Sequence, residues 1–413
     1  MSKTRDLAAN PRRSRHSWQV WAMLVMVLLP ALMLRLWQLD DVPPGFTHDE
    51  AGHGHDAVTI LEGARPIYQR VGYGREPLYD YIVAGVMGLT GLRAEALRLT
   101  SVLLGTGALA VMYLWARSAF GQAPALAAIA FQAASFWGLS TSRQSLRSGL
   151  LPLLFTACVY CYWRAVQGLG EEPAGGAQSG PRRLWMVAFA LLVGATLYSY
   201  LPARLLWLIF PVFVGYLAAT HHPLFRRLWR ATLAFLVLGL LVSAPMFIYL
   251  ALNPGVEQRL SDLWVTVAGP QAGNLLSLVE TAIAGLAGFV IPGAGDQFLA
   301  YSIPGRPFLD SVTGLLALAG VVLCLKRWRQ PSYAFVLIWF TIAIVPLLLT
   351  GATASSTRSI AALPVLYVFP ALAATACAQT ASARWGARGR QLVWVAVVAL
   401  VLITGFFTVR DYF

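Results

Sequence analysis

Apolar runs of about 20 residues recur along the whole chain, the length a helix needs to cross the hydrocarbon of a bilayer. They predict eleven spans, near 18–37, 97–120, 123–141, 148–166, 184–200, 203–220, 231–251, 308–325, 332–350, 359–378 and 391–409. The first follows a basic start with Lys3, Arg5, Arg12, Arg13 and Arg15. It is too long for a signal peptide and lacks a small-residue cleavage site before Asp40, so it reads as an uncleaved span with its basic end in the cytosol. Arg35, near the far end, is expected to snorkel to the interface.

Two further apolar pieces fall short of spanning. The piece at 78–92 carries Asp80 and begins after Glu76-Pro77. It predicts a helix lying in the interface, with Tyr79 and Tyr81 at head-group level. The piece at 274–291 is broken by Glu280, Gly285 and Gly288 and followed by Pro292, and predicts a second such helix. They belong to two large outer loops, at about 40–96 and 253–307.

Charge decides this arrangement. With 78–92 left out, the cytosolic loops hold Arg117, then Arg164, Arg182 and Arg183, then Arg226, Arg227 and Arg230, then Lys326, Arg327 and Arg329, and finally Arg384, Arg388 and Arg390. Of the 18 carboxylates, only Asp6, Glu171 and Glu172 fall inside. Counting 78–92 as a span inverts every later loop and destroys the positive-inside pattern.

Composition agrees. The 413 residues are 58% hydrophobic and 12% charged, against roughly a quarter charged in a soluble domain. The chain therefore reads as one all-α polytopic membrane domain over 1–413, with no soluble C-terminal domain. The net charge of +13 sits mostly in short loops and sets orientation, which excludes a nucleic-acid partner. Cys158, Cys161, Cys324 and Cys377 lie in or at the ends of apolar runs and read as small buried residues. The Gly/Pro/Ser-rich linker from Glu171 to Pro181 carries no chemistry.

The candidate chemistry lies on the outer side. Pro43-Pro44-Gly45-Phe46-Thr47-His48-Asp49-Glu50-Ala51 places adjacent carboxylates just beyond a span, in a loop crowded with His48, His53, His55 and Asp56. Charges so close to lipid are costly and point to function. Arg75 and Glu76, Arg143 and Arg147, Tyr200 and Arg204, Asp296, Arg306, Asp310 and Arg358 share that side. A guanidinium fork suits phosphate and stays charged at any relevant pH, and a carboxylate beside it can deprotonate an acceptor hydroxyl. The bland readings are contact with lipid phosphates for the arginines, and helix caps for Asp56, Asp296 and Asp310. His48, His53 and His55, with Asp49 or Glu50, are weak candidates for a divalent metal, since imidazole and carboxylate both suit zinc. Their spacing is not the two-His helical motif of zinc proteases.

Taken in order, these segments resemble the GT-C glycosyltransferases of family 39 type, the superfamily of protein O-mannosyltransferases and aminoarabinose transferases. The likeness rests on Pro44-Gly45, Asp49-Glu50-Ala51 and Asp56-Ala57, then on Arg75-Glu76-Pro77-Leu78-Tyr79 and Arg98 with Ser101. It continues through Ser142-Arg143 to Arg147, Tyr198 to Arg204, Gly295-Asp296, Pro304-Gly305-Arg306-Pro307 and Asp310. It implies a membrane glycosyltransferase of the cell envelope, moving a sugar from a polyprenyl-phosphate donor to an acceptor hydroxyl of a glycan, lipid or protein, with inversion, on the periplasmic or exterior face. By that likeness Asp49 is the base and Glu50 orients the acceptor or a metal. Arg75, Arg143, Arg147, Arg204 and Arg358 would hold the leaving lipid phosphate, with Glu76, Tyr200 and Asp296 among the substrate-binding residues. Some relatives carry a further carboxylate between the third and fourth spans; 140–148 holds none, so Glu76 or Asp296 substitutes or one base suffices. The rival readings are a lipid-linked sugar transporter, whose polar residues belong near the bilayer midplane, and a polymerase or ligase using a pyrophosphate-linked donor.

Overall fold

A computed structural model describes residues 11–167, 179–258 and 275–413. Lys3, Arg5 and Asp6 lie outside these residues, as do most of the 171–181 linker and part of the second outer loop. Among the described residues the chain is helical, with no strand and one isolated antiparallel bridge between Gln69 and Arg75.

All eleven predicted runs are found in helices. Among the described residues, seven helical stretches are long and apolar enough to cross a membrane: 18–36, 94–120, 147–167, 203–220, 222–252, 331–350 and 360–412. The first is part of α1 (Pro11–Leu36) and the second is α4 (Ala94–Phe120). The run at 123–141 is divided at Ser135 into α5 (Gln122–Ala134) and α6 (Phe136–Thr141), because the Ser135 side chain caps the second piece through the Gly138 N–H. Helix α7 (Leu150–Gln167) packs on both α4 and α8 (Ser179–Leu197). After the single turn α9 (Ala203–Leu206) come α10 (Ile209–Thr220) and α11 (His222–Leu252).

The two pieces expected to be too short are helices: α3 (Leu78–Thr90) and α12 (Leu275–Ala287). Helix α13 (Ser311–Lys326) has only 16 residues, so the expected span at 308–325 is a short one. Beyond α14 (Pro331–Thr350) lie the short turns α15 (Ser355–Arg358) and α16 (Leu363–Leu366). The last two predicted spans fall mainly in the run Val368–Tyr412, labelled α17, in which two helices meet at Gly386, where φ is 65° and ψ −153°. Only glycine adopts that conformation readily.

One expectation fails locally. The segment around Asp49 is not loop but helix α2 (His48–Leu61). Thr47 and Glu50 form a reciprocal capping box, and two carboxylates in the first turn favour the positive end of the helix dipole. Ala57 and Ile60 then bury against Val83 and Met87 of α3.

Aromatic side chains fill the middle of the helix bundle: Trp115 and Trp339 meet at 5.0 Å in a T-shaped contact, with Phe335 and Trp163 alongside. The outward faces are apolar as well; Leu241, Val395 and Leu402 are more than 60% exposed. A surface of that kind belongs in lipid. This is a multi-pass membrane protein.

Candidate active site

Three buried arginines set the first outer loop. The last carbonyls of a helix lack internal partners, and Arg143 gathers carbonyls at the end of α1 and in the turns after it: its guanidinium donates to Arg35 O at 2.7 Å, Trp37 O at 2.6 Å, Gln38 O at 2.9 Å and Val42 O at 2.7 Å. Arg98 donates to Leu39 O at 2.9 Å, Pro43 O at 2.8 Å and Gly45 O. Arg35 does not snorkel; it is 1% exposed and donates to Ser142 Oγ at 3.0 Å and Gly138 O at 3.1 Å. Arg143, expected to hold phosphate, is thus committed to the end of α1.

This cradle delivers the chain to the start of α2, where the adjacent carboxylates diverge. Glu50 is 1% exposed. Its Oε2 accepts the Thr47 N–H at 2.9 Å, and its Oε1 accepts the Ser145 N–H at 3.0 Å, with Arg98 Nε 3.9 Å away. Glu50 is therefore a tie between α2 and the 142–147 segment. Asp49, about 100° round the helix, is half-buried, lines a cleft of about 340 Å³ and accepts a hydrogen bond from Tyr301.

The same cleft is lined by Arg75, Arg147 and Tyr200. Arg75 lies on Gly52, where a Cβ would come within 3.0 Å of a guanidinium nitrogen, and it donates through Nε to Asp56 at 2.9 Å. Burial lifts the Asp56 carboxyl above its ordinary value; Arg75 opposes this and Asp80 adds to it. Arg147 packs over the Tyr200 ring at 5.5 Å. Behind it the buried Glu76 sits between Arg147 Nε at 3.7 Å and Arg204 at 3.6 Å. Arg204 also donates to Glu257 through both terminal nitrogens, one at 2.9 Å. The structure thus gathers Asp49, Arg75, Arg147 and Tyr200 around one opening, with Glu76 and Arg204 connected to Arg147 outside its lining.

Asp296 and Arg358 are placed elsewhere. Asp296 is fully buried and accepts from Ser356 N–H at 2.9 Å, Ser356 Oγ at 2.5 Å and Phe298 N–H at 2.9 Å, which knots the second outer loop to α15. Arg358 donates to Thr350 O at 3.2 Å, while its neighbour Thr357 reaches the cleft. Sequence reasoning missed Tyr301, Thr357, Ser148 and Glu257. They carry no motif of their own, although Ser148 adjoins Arg147, Thr357 adjoins Arg358 and Tyr301 lies close to Pro304-Gly305-Arg306.

A divalent metal on the first-loop histidines does not fit. His53 Nδ1 is 2.5 Å from Asp80, and Glu50 is saturated as described. Among the described residues, no three His, Cys, Asp or Glu side chains converge as metal ligands would.

What the arrangement offers is a half-buried carboxylate that accepts from a tyrosine hydroxyl, in one cleft with the guanidinium groups of Arg75 and Arg147.

Residues 74–249 match the dolichyl-phosphate-mannose-protein mannosyltransferase family. That stretch takes in Arg75, Glu76, Arg147, Tyr200 and Arg204 but not Asp49. No curated protein matches the sequence. Among solved structures, the oligosaccharyltransferase AglB from Archaeoglobus fulgidus, in complex with an inhibitory peptide and a dolichol-phosphate, superposes with a TM-score of 0.66 at 13% identity. The match covers 95% of this chain and 56% of that one, so the present chain spans little more than half the archaeal enzyme's length. ArnT from Cupriavidus metallidurans, bound to undecaprenyl phosphate, superposes with a TM-score of 0.59 at 16% identity over 94% of this chain and 72% of its own. The archaeal enzyme has also been solved with Zn and sulfate (TM-score 0.63, 15% identity, 94% of this chain, 53% of that one). At such identities the likeness carries the fold.

Proposed function

We propose that this chain, a multi-pass membrane protein with the GT-C fold, is a glycosyltransferase that moves a sugar from a polyprenyl-phosphate donor to an acceptor hydroxyl, with inversion. The observation that carries the reading is Asp49 on the wall of a cleft that also exposes Arg75 and Arg147. The acceptor oxygen attacks the anomeric carbon from the side opposite the phosphate. As that bond forms, the bond from carbon to phosphate oxygen breaks, and polyprenyl phosphate leaves with the electron pair. The acceptor proton passes to Asp49. A departing phosphate needs its charge stabilised more than it needs a proton, and Arg75 and Arg147 supply that, with Arg204 behind them. Glu50 acts by holding α2 in place.

The distribution of basic loops supports a cytosolic N-terminus and a cleft on the non-cytosolic face of the cell membrane, within a single membrane domain to which both outer loops contribute. The acceptor belongs to a protein, lipid or glycan outside the cytosol. Purified protein supplied with polyprenyl-phosphate sugars tests the reading through release of free polyprenyl phosphate, and mass spectrometry of surface glycoconjugates in cells with and without the protein identifies the acceptor. Movement of intact lipid-linked sugar across a vesicle membrane without its cleavage would instead make the protein a transporter.

A further inference from the structure

One buried imidazole in the Asp49 cleft takes no part in the transfer described above. His53 is 3% exposed and lines that cleft. It lies one helical turn beyond Asp49 on α2, at the i, i+4 spacing that puts two side chains on one face, about 6 Å apart along the axis.

The ring is fixed at one end. Its Nδ1 is 2.5 Å from Asp80 Oδ1, and the Tyr79 ring meets it in a T-shaped contact at 5.1 Å. Asp80 is fully buried in the first turn of α3, where the helix dipole favours negative charge, and its other oxygen accepts from Gln69 Nε2 at 3.4 Å. An ionised carboxylate only accepts, so the proton of this pair sits on Nδ1, and Nε2 of the neutral ring carries a lone pair. Among the described residues no hydrogen bond reaches Nε2, and it is not one of the side-chain atoms sealed away without a partner. A tie between α2 and α3 needs Nδ1 alone. Nε2 is the polar atom that His53 leaves to the cleft.

We propose that His53 contacts the sugar of the donor, its Nε2 accepting a hydrogen bond from one of the sugar hydroxyls, with Asp80 as the positioning residue that fixes the ring and its tautomer. This rests on the reading of the cleft as the donor site. There Arg75 and Arg147 answer the phosphate charge and Asp49 takes the acceptor proton, which leaves the sugar hydroxyls as the donors in need of a partner. One helical turn is close to the length of a pyranose ring, so a sugar whose reacting carbon lies by Asp49 can bring a hydroxyl to His53. A site built to pair with a hydroxyl also disfavours a lipid phosphate that lacks it.

Binding of undecaprenyl phosphate, bare or carrying mannose, glucose or aminoarabinose, is measured on purified protein in detergent, together with melting temperature. The wild type should bind at least one sugar-bearing lipid more tightly than the bare one. His53→Asn keeps an amide N–H where Nδ1 donates to Asp80 and lacks the far end of the ring. It should melt close to wild type, bind the bare lipid unchanged and weaken the preferred sugar-bearing lipid by about fivefold, the worth of one neutral hydrogen bond. His53→Gln, which reaches the Nε2 position and gives up the bond to Asp80, should melt lower yet keep most of the preference. Three results would each overturn the proposal: a wild type without sugar preference, an Asn variant that keeps the full preference, or equal weakening of bare and sugar-bearing lipids. A wild type that shows the His53-dependent preference yet releases no undecaprenyl phosphate would sink the transferase reading alone. One that transfers sugar while the Asn variant keeps the preference would sink this proposal alone.

Discussion

Glu50 Oε1 accepts the backbone N–H of Ser145 at 3.0 Å, across 95 positions of sequence. That bond holds the first outer loop against the segment that supplies Arg147, which lines the same cleft as Asp49. Adjacent carboxylates in the sequence thus have separate settings, Asp49 in the open cleft and Glu50 buried as a structural tie.

Asp49→Asn keeps the side chain's size and its contact with Tyr301 while removing the base. Transfer should fall by about 10²–10⁴-fold, with melting temperature and binding of the lipid donor unchanged. Transfer at the wild-type rate would remove Asp49 from the base role.

Glu50→Ala deletes the capping box and leaves the Ser145 N–H buried without an acceptor. The two losses together should cost about 2–4 kcal/mol, measured as a lowered melting midpoint in detergent. Glu50→Gln, which can still accept from Ser145, should recover part of that stability. Equal melting of all three proteins would contradict the structural assignment.

Arg143 and Arg147, four residues apart, should separate cleanly. Arg143→Met leaves several carbonyls at and just beyond the end of α1 unpaired, so its main effect should be reduced folded yield. Arg147→Met should fold, yet raise the KM for a polyprenyl-phosphate donor by about 10–100-fold, the worth of a charge-assisted bond to phosphate. Reversal of these two phenotypes would move the anion site to Arg143.

Gly52→Ala tests the approach of Arg75 to α2. The added methyl meets a guanidinium nitrogen at 3.0 Å, so Arg75 must shift. Donor affinity should drop while the helix, which prefers Ala to Gly, melts no earlier. A drop in melting temperature without a change in donor affinity would mean that Arg75 serves structure alone.

The sequence by itself determined the membrane-helical class and the arrangement of charge, because a twenty-residue apolar run and a biased distribution of basic loops are local properties of the chain. It also marked Asp49, Arg75, Glu76, Arg147, Tyr200 and Arg204. The capping box at Thr47 and Glu50 was legible too, yet the density of charge around it suggested loop. Only the tertiary structure decided which polar residues share an opening. Nothing in the local pattern distinguishes Arg143, wrapped in the carbonyls of α1, from Arg147, which faces the cleft, nor Asp296, buried under Ser356, from Asp49. A charged side chain finds its partners wherever packing brings unsatisfied groups together, and those contacts span a hundred residues or more: Arg143 to Trp37 across 106, Tyr301 to Asp49 across 252.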